Sequence, residues 1–73
     1  MLNNRRLGKR IKSTREARGL TQKELAERIN THPLVISYWE RGSRTPSLRL
    51  FRVLCSVLKV DANFLLGRKR KST

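Results

Sequence analysis

The sequence predicts an all-α fold: a compact five-helix bundle over residues 1–67, with a helix-turn-helix at its second and third helices, and a basic, disordered tail over 68–73. Apolar residues recur at helical spacing, and capping or stop residues stand at the ends of those stretches. At 73 residues there is room for one domain only. Its core is marginal, because a chain of this length buries about 60–65% of the surface it exposes when unfolded.

The first helix is expected over residues 4–18, with Leu7, Ile11 and Ala17 inward and Gly19 as a left-handed stop. Thr21 and Glu24 then form a capping box, each side chain satisfying an otherwise unpaired backbone N–H at the start of the second helix. Leu25, Ala26 and Ile29 follow at helical spacing, Leu20 packs beneath the box, and Asn30, which tolerates positive φ, stops the helix. After a short turn, Pro33 fits the first position of the third helix, where its missing N–H costs nothing, and drives His32 into the extended conformation of an N-cap. At about 100° per residue, Val35, Ile36 and Trp39 share one side of this helix, while Pro33, Leu34, Ser37, Tyr38 and Arg41 share the other; Gly42 ends it. One face belongs to the core and the other is free to touch a partner.

The loop SRTP leads to Ser47, an N-cap for a fourth helix running to about Leu58. It carries an apolar stripe of Leu48, Phe51, Leu54, Cys55 and Leu58, and a second of Leu50, Val53 and Val57 about 130° around. A second stripe is explained either by packing on several neighbours or by contact with another chain. Asp61 caps a short fifth helix bearing Phe64, Leu65 and Leu66, and Gly67 ends it.

Against 18 Lys and Arg stand 5 Asp and Glu, a net charge of +13 that exceeds what solubility needs and calls for a polyanionic partner. No run approaches the 18 or so apolar residues of a transmembrane span, and the N-terminus lacks a signal peptide's apolar core, so nucleic acid is a better partner than a membrane. One cysteine excludes an intramolecular disulfide, and with one histidine it builds no standard zinc site, so neither metal nor cofactor is expected. His32 lacks the partners of a catalytic base, Cys55 reads as a small core residue, and the five acids are largely taken up by caps and helix surfaces; an enzyme is not expected.

Two helices joined by a tight turn, the second with an outward face, are the layout of a helix-turn-helix, whose recognition helix lays its outward side chains against base edges in the major groove. The residues resemble the Cro and phage-repressor (XRE) family. RLGKRIKSTREARGLTQKELA is similar to its first two helices, ISYWERG to its recognition helix and glycine stop, and SRTPSLRLFRVLCSVLKVDANFLL to its last two, so the likeness spans about residues 7–66.

This resemblance implies a lambda-repressor-like fold and double-stranded DNA as partner. It implies that Gln22 grips the DNA backbone beside the recognition helix, where helix N–H groups and the helix dipole also attract an anion. It implies an ion pair between Arg15 and Glu40 joining the first helix to the recognition helix; an exposed pair would contribute only about 0.2–1 kcal/mol, so its benefit is orientation. Many relatives dimerise through their C-terminal helices, which makes Leu50, Val53 and Val57 candidates for a homodimer interface. Lys59 stands where the family more often has glycine, which implies a slightly strained turn.

Arg41, Ser43, Arg44 and Thr45 surround the loop after the recognition helix and are candidate phosphate ligands, Arg44 the strongest by charge. The base-reading candidates are His32, Pro33, Leu34, Ser37 and Tyr38. Relatives often place glutamine, serine or lysine at the first exposed turn. Pro33 and Leu34 cannot bond purines bidentately but can pack on a thymine methyl, so hydrogen-bond readout falls to Ser37 and Tyr38, with His32 or Arg41. His32 serves equally well as a cap or a phosphate contact. The basic segments at Arg5, Arg6, Lys9 and Arg10 and at 68–71 add non-specific phosphate attraction.

The sequence therefore reads as a cytoplasmic, nucleoid-associated transcriptional regulator, a repressor occupying its operator as a homodimer. The alternative is an antitoxin or other interaction module whose fourth-helix stripe binds a protein partner; charge alone would also suit RNA or a membrane surface.

Overall fold

The computed structural model describes residues 4–67. The basic tail expected over 68–73 lies outside the described residues. Among the described residues there are five helices and no strand: α1 (Asn4–Ala17), α2 (Gln22–Arg28), α3 (Pro33–Arg41), α4 (Leu48–Leu58) and α5 (Ala62–Leu66). No helix among them is long and apolar enough to cross a membrane.

The helix ends are set by local chemistry. The capping box of α2 is formed: Glu24 N–H donates to Thr21 Oγ1 at 3.0 Å, and Thr21 N–H donates to Glu24 Oε1 at 2.8 Å. The bond from the Thr21 backbone, followed by that with its side chain, holds the Glu24 carboxyl below its usual pKa. Ser47 and Asp61 cap α4 and α5 by accepting from the N–H of Leu50 and Phe64 at 3.2 and 2.8 Å. Asn30 and Lys59 both adopt φ of +59°, left-handed conformations that cost a side chain about 1–2 kcal/mol. At Lys59 a compensation comes from α1's end. Arg18 donates from Nε to Leu58 O at 2.8 Å and from a terminal nitrogen to Lys59 O at 3.2 Å, placing a cation at the negative end of α4.

One core unites the helices: Leu7 and Ile11 of α1, Leu25 and Ala26 of α2, Ile36 and Trp39 of α3, Leu54 and Leu58 of α4, and Leu65 of α5, with Leu20 and Ile29 beside them. α1 packs on α3 and α5, α2 on α3, and α4 on α5. The α1–α3 contact is close. A Cβ on Gly8 would strike Trp39 O and lie 2.6 Å from Glu40 O, so the backbones meet where only glycine fits.

Two inward assignments are corrected. Ala17 is exposed, and the buried residues near the end of α1 are Thr14 and Arg15. Leu48 is 75% exposed. Each stands six residues from a fully buried side chain of its own helix, Ile11 and Leu54, and six residues turn a helix about 120° away from that direction. Leu50, Val53 and Val57 are half-buried and packed against the core, as are Phe51 and Cys55. Packing on neighbours thus accounts for part of the second stripe. Burial raises the Cys55 thiol pKa, with Asp61 adding to it, which disfavours the thiolate.

Candidate nucleic-acid interface

α3 is held from behind by Ile36 and Trp39, both buried. Its opposite face carries Leu34, 50% exposed, half-buried Pro33, Ser37 and Tyr38, and exposed Arg41. His32 is the N-cap: its Nδ1 accepts from the Leu34 N–H at 3.1 Å. An imidazole accepting at Nδ1 carries its proton on Nε2, so His32 offers a donor there.

The single acid of α3, Glu40, is turned inward. Arg15 donates to its carboxylate from Nε to Oε2 at 2.7 Å and from a terminal nitrogen to Oε1 at 3.1 Å, and the other terminal nitrogen donates to Leu20 O at 2.7 Å. The side chains are 9% and 4% exposed, so this pair is buried rather than exposed. The Glu40 hydrogen bond raises the Arg15 pKa above its ordinary value, against the lowering effect of burial. Desolvating two ions costs several kcal/mol each, so the pair is worth little against an apolar substitute; it fixes α1, α3 and the loop before α2 in one arrangement.

Gln22, the first residue of α2, joins the same cluster, its Nε2 donating to Glu40 Oε1 at 3.0 Å. One amide N–H is thus committed within the protein. The side chain is thereby anchored, with a second N–H and its carbonyl left for a ligand.

The loop after α3 folds back on the helix. Gly42, at φ +79°, donates to Trp39 O, while the N–H groups of Ser43 and Arg44 donate to Tyr38 O at 3.0 and 3.4 Å. This return carries Arg44 over the Tyr38 ring, its guanidinium carbon 4.9 Å from the centroid, and Arg41 lies at 5.3 Å from the same point. Neither arginine has an ion-pair partner among the described residues. Ser43, Arg44 and Thr45 are exposed.

The structure thus gathers Gln22, Glu40 and Arg15 into one cluster and Tyr38, Arg41 and Arg44 into another. Leu50, Val53 and Val57 belong to α4, which packs on α5. Sequence reasoning missed Gly8, Arg18 and the hold of Tyr38 on two arginines. A glycine inside a helical pattern is itself a signal of close packing, whereas nothing near Arg18 in the sequence announces a carbonyl 40 residues away.

The helix-turn-helix family model matches residues 11–65. The HTH-type transcriptional regulator ImmR of Bacillus subtilis is 38% identical over 66 residues, covering 90% of this chain and 52% of that protein. The putative multi-protein-binding factor 1 of Yarrowia lipolytica is 37% identical over 70 residues, covering 89% of this chain and 46% of that protein. The chain spans about half the length of these relatives. Among solved structures, the clp gene regulator ClgR from Corynebacterium glutamicum is similar with a TM-score of 0.84 at 31% identity, over 92% of this chain and 86% of that chain. The restriction-modification controller protein C.AhdI from Aeromonas hydrophila gives 0.81 at 28% identity, over 89% of this chain and 98% of that chain. With more than half its length matched by the family and its five helices superposing on those regulators, the chain belongs to the Cro/C1-type (XRE) helix-turn-helix family, a class of DNA-binding transcription regulators.

Proposed function

We propose that this chain binds a specific double-stranded DNA site and regulates transcription there, repressing by occupying an operator as a homodimer. The observation that carries this reading is the outward face of α3: the helix's one acid is turned inward into a buried ion pair, while Arg41 and Arg44 have no ion-pair partner among the described residues. The names of the relatives, a transcriptional regulator, a gene regulator and a controller protein, support it.

Gln22, Arg41, Ser43, Arg44 and Thr45 supply phosphate contacts that fix position, each charged contact adding to the salt dependence. Leu34 and Pro33 pack on thymine methyl groups, and Ser37 and the Nε2 of His32 bond base edges. Two copies whose recognition helices lie about 34 Å apart read the halves of a near-palindrome. The apolar edge of α4 at Leu50, Val53 and Val57 is the candidate dimer contact.

Measured binding to a panel of duplexes tests the division of labour. Gln22→Ala and Arg44→Ala weaken binding to every sequence alike, whereas Leu34→Ala changes the preference among sites at thymine positions; a uniform loss for all three would refute it. A protein-interaction role is the second reading, favoured by exposed Leu48 at the rim of an apolar groove with Pro46, Phe51 and Leu66, and by the multi-protein-binding name of one relative. Co-purification of a protein partner that is lost on Leu48→Asp would favour it.

A further inference from the structure

We infer that Tyr38 is a positioning residue for phosphate recognition: its ring orders Arg41 and Arg44 into a preformed pair that leaves the Arg44 guanidinium edge and the terminal nitrogens of Arg41 open to DNA. This rests on the DNA-binding reading and changes the part Tyr38 takes in it, from reading bases to holding their readers' flank.

The geometry comes from three kinds of interaction. The carbonyl of Tyr38 receives the N–H groups of Ser43 and Arg44, which turns the loop back over its own residue. The ring then lies 4.9 Å from the Arg44 guanidinium carbon and 5.3 Å from that of Arg41. Arg41 is held further by Nε, which donates to Ser37 O at 3.4 Å.

What holds an arginine decides what it can still do. A carboxylate partner neutralises the charge and uses up the fork of N–H donors, as Glu40 does to Arg15. An arginine left in solvent keeps its donors but must lose its rotamer freedom when a phosphate arrives. A ring engages the flat face of the guanidinium, and the N–H groups, which lie in the guanidinium plane, still point outward with the charge intact. Tyr38 therefore orders two cations with their charges intact, and of their side-chain donors only the Arg41 Nε is taken up, by Ser37 O. With its ring so occupied, Tyr38 is poorly placed to stack on a base or a thymine methyl.

Ordering a long side chain on binding costs about 0.5–1.5 kcal/mol, so removing the preorganisation of two arginines weakens binding by about 5- to 150-fold. The test compares Tyr38→Phe, which keeps the ring, with Tyr38→Leu, which removes it, on a 20-base-pair mixed-sequence duplex and on a site selected from random DNA. Upfield ring-current shifts of the Arg41 and Arg44 side-chain protons are read by NMR in the free protein. Tyr38→Phe should keep those shifts and bind within about twofold of the native chain. Tyr38→Leu should lose the shifts and bind every duplex at least about fivefold more weakly, while the ranking of sites stays unchanged; in an Arg41→Ala, Arg44→Ala background the same substitution should cost almost nothing. A changed ranking of sites with undiminished affinity for mixed sequence would restore Tyr38 as a reader and overturn the proposal. Absence of the ring-current shifts in the native protein would overturn it without touching the DNA-binding reading, and failure of the native chain to bind any duplex would overturn both. Retained helical circular dichroism and melting temperature in Tyr38→Leu confirm that the loss is not one of folding.

Discussion

Replacing Gly8 by alanine places two physical effects in opposition, and their balance reports on how closely α1 lies against α3. Helix propensity alone favours the change by about 0.8–1.0 kcal/mol, because alanine loses less backbone entropy in a helix interior than glycine does. The structure opposes it. The added Cβ would meet Glu40 O at 2.6 Å, about 0.8 Å inside ordinary van der Waals contact, and Trp39 O closer still. Both obstacles are backbone carbonyls, and that of Trp39 also accepts the N–H of Gly42 that closes α3, so neither moves aside as a side chain would. Overpacking of this kind costs about 1–3 kcal/mol, and rigid obstacles place it at the upper end, leaving a net loss of about 2 kcal/mol after propensity is credited. For a domain of this size that lowers the melting temperature by about 8–16 °C, read by circular dichroism. Ser13→Ala, at an exposed position of the same helix, should leave it within a few degrees of the native value. A Gly8→Ala variant that melts at or above the native temperature would refute the close crossing and the packing derived from it.

Arg15→Met strands the Glu40 carboxylate in the core and should cost about 3–5 kcal/mol in urea unfolding, much of it restored by adding Glu40→Leu; a loss below about 1 kcal/mol would mean the pair is solvated. Because Glu24 has a folded pKa below its ordinary 4.5, its cap contributes stability above that pH and loses it as pH falls through the folded value, so the melting-temperature gap between native and Glu24→Gln should be full at pH 7 and close below about pH 4.5. Lys59→Gly relieves a left-handed side chain while keeping the carbonyl that Arg18 binds, and should raise stability by about 0.5–1 kcal/mol in the same assay, where a loss would contradict the strain assigned there.

What was legible in the sequence was chemistry within three residues. Thr21 with Glu24, His32 with Pro33, Ser47 and Asp61 each bond a backbone group two or three positions away, so the boundaries they set follow from local spacing. The free face of α3 was legible for the same reason, since a rotation of about 100° per residue separates Leu34 and Ser37 from Ile36 and Trp39. Depth was not. Helical period places Ala17 and Leu48 near an apolar stripe, but only the position of the neighbouring helices decides how wide a stripe is covered. The burial of Arg15 against Glu40 and the reach of Arg18 to the end of α4 join residues 25 to 41 positions apart. On α3, the side chains with outward registers were foreseeable, whereas the return of the loop onto Tyr38, which brings Arg44 as well as Arg41 over its ring, depends on backbone bonds formed where Gly42 goes left-handed.

The most direct test is selection of duplexes bound by the chain from a random DNA library at physiological salt. A DNA-reading homodimer enriches a near-palindrome with half-sites about one helical turn apart and thymines opposite the start of α3. Recovery of no preferred duplex would contradict the central claim.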